Sequence, residues 1–132
     1  MDDLIKKLEA ATGPDREIDL HIFAVLNRPD PIAKIDWGCI GDRVTYGTGE
    51  WEYCADWPMF TFSVDAALTL VPEGWAIHTI HGGQIKDGKQ GWAVNICVNG
   101  NNMDDLMVER EHLDERPAIA ICIAALKARA HG

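Results

Sequence analysis

The segment Trp75-Ala76-Ile77-His78-Thr79-Ile80-His81-Gly82-Gly83-Gln84-Ile85-Lys86-Asp87-Gly88-Lys89-Gln90-Gly91-Trp92-Ala93-Val94-Asn95-Ile96-Cys97-Val98 decides the fold. Two alternating runs flank a glycine-rich centre, and alternation with a period of two marks strands, whose successive side chains point to opposite faces. Asp87-Gly88 suits a two-residue turn, because both central positions of that turn need positive φ. On this register Ile77 faces Val98, Thr79 faces Ile96 and His81 faces Val94. On the other face His78 opposes Cys97 and Ile80 opposes Asn95. Gly82 and Gly83 are read as turn glycines, and no Gly-Lys-Ser/Thr follows to make a phosphate loop.

Working outward, residues 2–12 place Leu4, Ile5, Leu8 and Ala11 at helical spacing, with Asp2 and Asp3 complementing the positive end of the helix dipole. Gly13 ends that helix. Pro14 then opens a second one with Ile18, Ile22, Val25 and Leu26 as its buried stripe, stopped by Arg28-Pro29-Asp30-Pro31. Ser63 is a suitable N-cap for a short helix through Leu70, on which Val64, Ala67, Leu68 and Val71 face one way. After Pro117 comes a last helix so rich in Ile119, Ile121, Cys122, Ile123, Leu126 and alanines that it must be packed on more than one side.

Two stretches are less regular. Residues 28–57 read as an irregular insertion rich in Trp, Gly and acids, holding a small hairpin of 44–46 with 51–54 around Gly47-Thr48-Gly49. Residues 59–62 read as an additional strand, and 99–116 as an acidic connection. The expectation is one domain over 1–132, α+β in class: a helix/sheet/helix sandwich with a central antiparallel hairpin-based sheet.

The chain has 132 residues, with 12 Lys+Arg against 21 Asp+Glu for a formal charge of -9. Scattered basic residues in an acidic chain argue against direct nucleic-acid binding and against an anionic membrane surface. No apolar run approaches the roughly 18 residues of a membrane span, and Met1-Asp2-Asp3 is unlike a signal peptide, so a cytoplasmic location is expected. Cys39, Cys54, Cys97 and Cys122 contain no Cys-x-x-Cys pair and read as buried free thiols.

Three blocks carry a family resemblance: Leu4-Ile5-Lys6-Lys7-Leu8-Glu9-Ala10-Ala11-Thr12-Gly13-Pro14-Asp15-Arg16-Glu17-Ile18-Asp19, then Phe60-Thr61-Phe62-Ser63-Val64-Asp65-Ala66-Ala67-Leu68-Thr69-Leu70-Val71-Pro72-Glu73-Gly74-Trp75, and the last helix from Pro117. Together they resemble the phage ABA sandwich domain family of small tailed-phage and prophage proteins, over about half the chain. The middle block is the most specific. The resemblance implies helix, sheet, helix layering and a phage or prophage origin, and it implies no activity.

No catalytic or ligand motif rises above background. His78, Asn95 and Cys97 are the residue types of a thiol nucleophile, its base and an orienting amide, but we read them as packed side chains. His78 and His81 are three apart on a strand and point to opposite faces, so with Cys97 they make no metal site. No cofactor is expected. Trp37 and Trp51, with Glu50 and Glu52 as flanking charges, are the candidate partner-binding residues, since rigid rings on loops are favoured interface anchors. The expected function is a non-enzymatic phage or prophage accessory protein that binds a host or phage protein through this acidic, aromatic surface. The alternative is a counter-defence inhibitor, acting as a nucleic-acid mimic or as a sponge for a nucleotide signal. A thiol enzyme ranks third.

Overall fold

The computed structural model describes residues 2–27, 32–36, 43–46, 52–54, 58–98, 101–111 and 116–131, with backbone alone at 24, 27, 32–36, 43–46, 52–54, 86, 101–105 and 131. The chain is α+β, with helices layered against antiparallel sheet, as expected. Helices α1 (Asp2–Ala10) and α2 (Arg16–Asn27) come first. Strands β1 (Ile32–Asp36), β2 (Arg43–Tyr46) and β3 (Glu52–Cys54) follow, then helix α3 (Val64–Leu68). Strands β4 (Trp75–Gln84), β5 (Gln90–Val98) and β6 (Asn101–Arg110) precede helix α4 (Ala118–His131).

The central hairpin forms, in a different register. Asp87 and Gly88 do take positive φ, 62° and 76°. The loop nevertheless holds the three residues Lys86–Gly88 and is closed by the Ile85 N–H donating to the Lys89 carbonyl at 2.7 Å. Thr79 therefore faces Asn95, and Ile80 faces Val94. A bulge at His78 shifts the register once more, so that Ile77 faces Ile96, Ala76 faces Cys97 and Trp75 faces Val98. Each one-residue slip exchanges the cross-strand partners, which is why turn length outweighs pattern here. Gly82 and Gly83 lie inside β4 and not in the turn. The ring of Trp92 lies against Gly82, where any Cβ would collide with it.

The acidic connection is corrected too: most of it is β6, the third strand, ordered β4-β5-β6. Its buried face carries Val108 and a buried Arg110, while Met107 and Glu109 point outward into solvent. A charged residue at an inward position hid the alternation. Gly91 lets β5 approach the Arg110 carbonyl so closely that a Cβ would overlap it.

Residues 59–62 form a turn and not a strand: the Phe62 and Ser63 N–H groups both donate to the Met59 carbonyl. Ser63 caps α3 as expected, accepting the Ala66 N–H at 3.2 Å. On this helix and the turn after it, Ala67 and Leu70 are buried, whereas Leu68 is exposed. Helix α2 begins at Arg16 with Asp15 accepting the Glu17 and Ile18 N–H groups, so Asp15 and not Pro14 starts it. Its buried positions are Ile18, Asp19, Leu20 and Ile22, while Val25 is exposed.

Helix α4 is the centre of the core. All residues from Ala118 to Leu126 are buried, and α4 packs against α1, α3, β5 and β6. Leu8, Ile22, Leu70, Val94, Ile96, Ile119, Ile121 and Leu126 belong to one cluster around it, each contributing roughly 1.5–3 kcal/mol of transfer free energy. Small alanines at 118, 120, 124, 125 and 128 let the neighbouring elements come close on every side. Cover on the opposite face of the sheet is uneven, with Cys97 buried and Thr79, His81, Met107 and Glu109 exposed.

Candidate functional site

The expected hairpin in the Trp-rich stretch is present, and β1 extends it to a three-stranded antiparallel sheet ordered β1-β2-β3. Asp36 pairs with Arg43, Val44 with Tyr53 and Thr45 with Glu52. Of the candidate partner-binding residues, Trp37, Glu50 and Trp51 lie outside the described residues, as do Trp57 and Cys39. Glu52 is the first residue of β3, described by its backbone alone. Asp36, the last residue of β1, pairs with the first residue of β2, and Glu52 opens β3 at the opposite end of that sheet, where β2 finishes.

The thiol constellation is not assembled. Cys97 is opposed by Ala76, and His78 sits in the bulge, exposed. Asn95 lies between Thr79 and Met107, and its side-chain oxygen is buried without a hydrogen-bond partner. Cys97 and Cys122 are both buried free thiols, as the sequence led us to expect. Cys122 donates to the Phe60 carbonyl at 3.1 Å. Burial, with a smaller contribution from the charge of Asp19, pushes its pKa up, so the thiol form is held. Among the described residues no three His, Cys, Asp or Glu side chains gather as a metal-binding group, and no helix is long and apolar enough to cross a membrane.

The polar groups that the fold does gather are ones the sequence reading missed. Asp19, 1% exposed, accepts the Thr61 N–H at 2.7 Å and the Thr61 hydroxyl at 2.8 Å, and pairs with Arg16 at 3.1 Å. The Thr61 hydroxyl oxygen in turn accepts the Asp15 N–H at 2.8 Å. Desolvation raises the Asp19 pKa above its ordinary value, against the opposing effect of the Thr61 and Arg16 contacts. Arg110, 3% exposed, donates to the Leu8 carbonyl at 3.4 Å and the Ala11 carbonyl at 2.6 Å, at the C-terminal end of α1. The available signal was spacing: Asp19 shares the buried α2 stripe with Ile18 and Ile22, and Arg110 continues the Leu106, Val108 alternation.

Two concavities flank this region. A groove of about 430 Å³ runs between α1 and the start of α2, with Lys7, Asp15, Glu17 and His21 on its walls. Burial and the nearby Lys7 charge lower the His21 pKa, while Glu17 and Asp15 oppose them. A smaller cavity of about 160 Å³ lies by Thr12, Pro14, Thr61 and Ile119, with the Arg116 guanidinium 4.6 Å above the Phe62 ring at its edge. No protein-family model, curated protein or solved structure matches the chain.

Proposed function

We propose that this chain is a non-enzymatic phage or prophage accessory protein, working in the host cytoplasm, that binds a host or phage protein through the acidic, aromatic surface of residues 28–57. The observation that supports this reading is the β2–β3 pairing. Glu52, which follows Glu50 and Trp51 in the sequence, is the first residue of the paired strand β3, in a chain of net charge -9. Binding side chains concentrate on such connections because the strands fix their position. The acids select a basic partner surface and speed the encounter, and the ring supplies the affinity. Trp37, which follows Asp36 of β1 in the sequence, is the secondary contact. The separation of His78 from Cys97 weighs against thiol chemistry.

Immobilised protein incubated with host lysate, with mass spectrometry of what is retained, tests the proposal. Trp51→Ala is expected to weaken capture by about 2 kcal/mol, roughly thirty-fold, with an unchanged melting temperature. Capture should also decline steeply with salt. If Trp37→Ala and Trp51→Ala both unfold the protein, these rings belong to the core and the interface reading fails.

A further inference from the structure

We propose that the small cavity between the α1–α2 connection, the turn before α3 and the start of α4 is a binding site for a short aliphatic monocarboxylate, its anionic end on the Arg116 guanidinium and its apolar tail against Ile119. The walls come from three separate segments of the chain: Thr12, Gly13 and Pro14, then Thr61 and Phe62, then Arg116 and Ile119. Residues 28–57 take no part in it.

Contacts already made hold those walls in place. The Ala11 carbonyl, just before Thr12, accepts from Arg110 at 2.6 Å, and the Asp15 N–H, just after Pro14, donates to the Thr61 hydroxyl oxygen at 2.8 Å. The α1–α2 connection is thus pinned on both sides. The Thr61 N–H donates to Asp19 at 2.7 Å and the Phe62 N–H to the Met59 carbonyl at 3.1 Å. Ile119 is buried on the first turn of α4. A pocket preformed in this way spares its ligand the cost of ordering it.

Charge selects an anion. The Arg116 guanidinium lies 4.6 Å from the centre of the Phe62 ring and has no carboxylate partner among the described residues, in a chain with 21 Asp+Glu against 12 Lys+Arg. The ring attracts the cation and leaves its N–H donors available to an acceptor. The Thr12 hydroxyl likewise has no hydrogen bond among the described residues. Thr61 adds no donor, because its hydroxyl is taken by Asp19 and Asp15, and the charge of Asp19 is itself compensated by Arg16.

Donor supply and size narrow the class. One planar guanidinium fork matches the two oxygens of a carboxylate. It leaves a phosphate under-satisfied, and a chain of net charge -9 repels the second charge of that ion. The cavity of about 160 Å³ has the volume of roughly five water molecules, the size of butyrate. Pro14, Phe62 and Ile119 make the remaining wall apolar, which suits an alkyl tail.

Titration of the isotope-labelled full chain with sodium butyrate at constant pH and ionic strength, followed through the backbone amide resonances, tests this. Saturable shifts are expected at Thr12, Gly13, Phe62 and Ile119, with a Kd of about 1 mM. Sodium phosphate and butylammonium chloride should give no saturable shifts at those positions. Arg116→Gln should weaken butyrate binding about tenfold while the rest of the amide spectrum stays unchanged, because this side chain is exposed. No saturation by butyrate up to about 50 mM, an equal response to phosphate or butylammonium, or unaltered affinity in Arg116→Gln would each overturn the proposal.

Discussion

Replacing Thr61 by valine keeps the shape of the side chain and removes only its hydroxyl, so its consequences follow from the contacts of that one oxygen. In the native protein the hydroxyl donates to Asp19 Oδ1 at 2.8 Å and accepts the Asp15 N–H at 2.8 Å. The first bond is to a charged, buried acceptor and is worth about 2 kcal/mol; the second is neutral and worth about 1 kcal/mol. The Thr61 N–H stays bonded to Asp19 at 2.7 Å, so the carboxylate is weakened in its support and not abandoned. The expected loss is about 3 kcal/mol at neutral pH, a fall in Tm of about 10 °C for a domain of this length.

The pH dependence supplies a second, sharper test. Burial already holds the folded pKa of Asp19 above its unfolded value. The folded chain therefore binds that proton more tightly, and the contribution of this group to stability is fully present below the unfolded value and is lost as pH rises through the folded one. Losing the hydroxyl raises the folded pKa further, so the penalty of Thr61→Val must grow from acid to neutral pH. Urea unfolding of both proteins across that range measures it. A penalty below about 1 kcal/mol, or one of equal size at acid and neutral pH, would refute the assignment of Asp19 as a buried carboxylate dependent on Thr61.

Arg110→Met should destabilise by about 3 kcal/mol in chemical denaturation, because the Leu8 and Ala11 carbonyls lose a buried charged donor; Arg110→Lys should recover only part of this, since an ammonium lacks the fork of a guanidinium. Ser63→Ala should cost about 1 kcal/mol through the lost α3 cap, read as a shifted denaturation midpoint with an unchanged m-value. Cys97 and Cys122 should resist alkylation in the native protein and react only as it unfolds, as mapped by peptide mass spectrometry; rapid native labelling of Cys122 would contradict its burial.

What the sequence by itself determined is whatever depends on neighbours along the chain. The α1 stripe of Leu4, Ile5 and Leu8, the Ser63 cap, the alternation either side of Asp87-Gly88 and the all-round apolar surface of α4 are local periodicities, and each appears in the fold. Even the positive φ at Asp87 and Gly88 was legible. Tertiary structure decided the register, because one additional loop residue and one bulge, each small in local energy, set which residues meet across the sheet. That choice separated His78 from Cys97 and with it dissolved the apparent thiol constellation. It also decided the fate of the buried polar groups. Asp19 and Arg110 look like surface charges in sequence, yet they lie inside because Thr61, 42 residues away from Asp19, and the Leu8 carbonyl, 102 residues away from Arg110, supply the hydrogen bonds that burial requires. A charge can be buried only where its partners converge, and that convergence is a property of the packed chain and of no window along it.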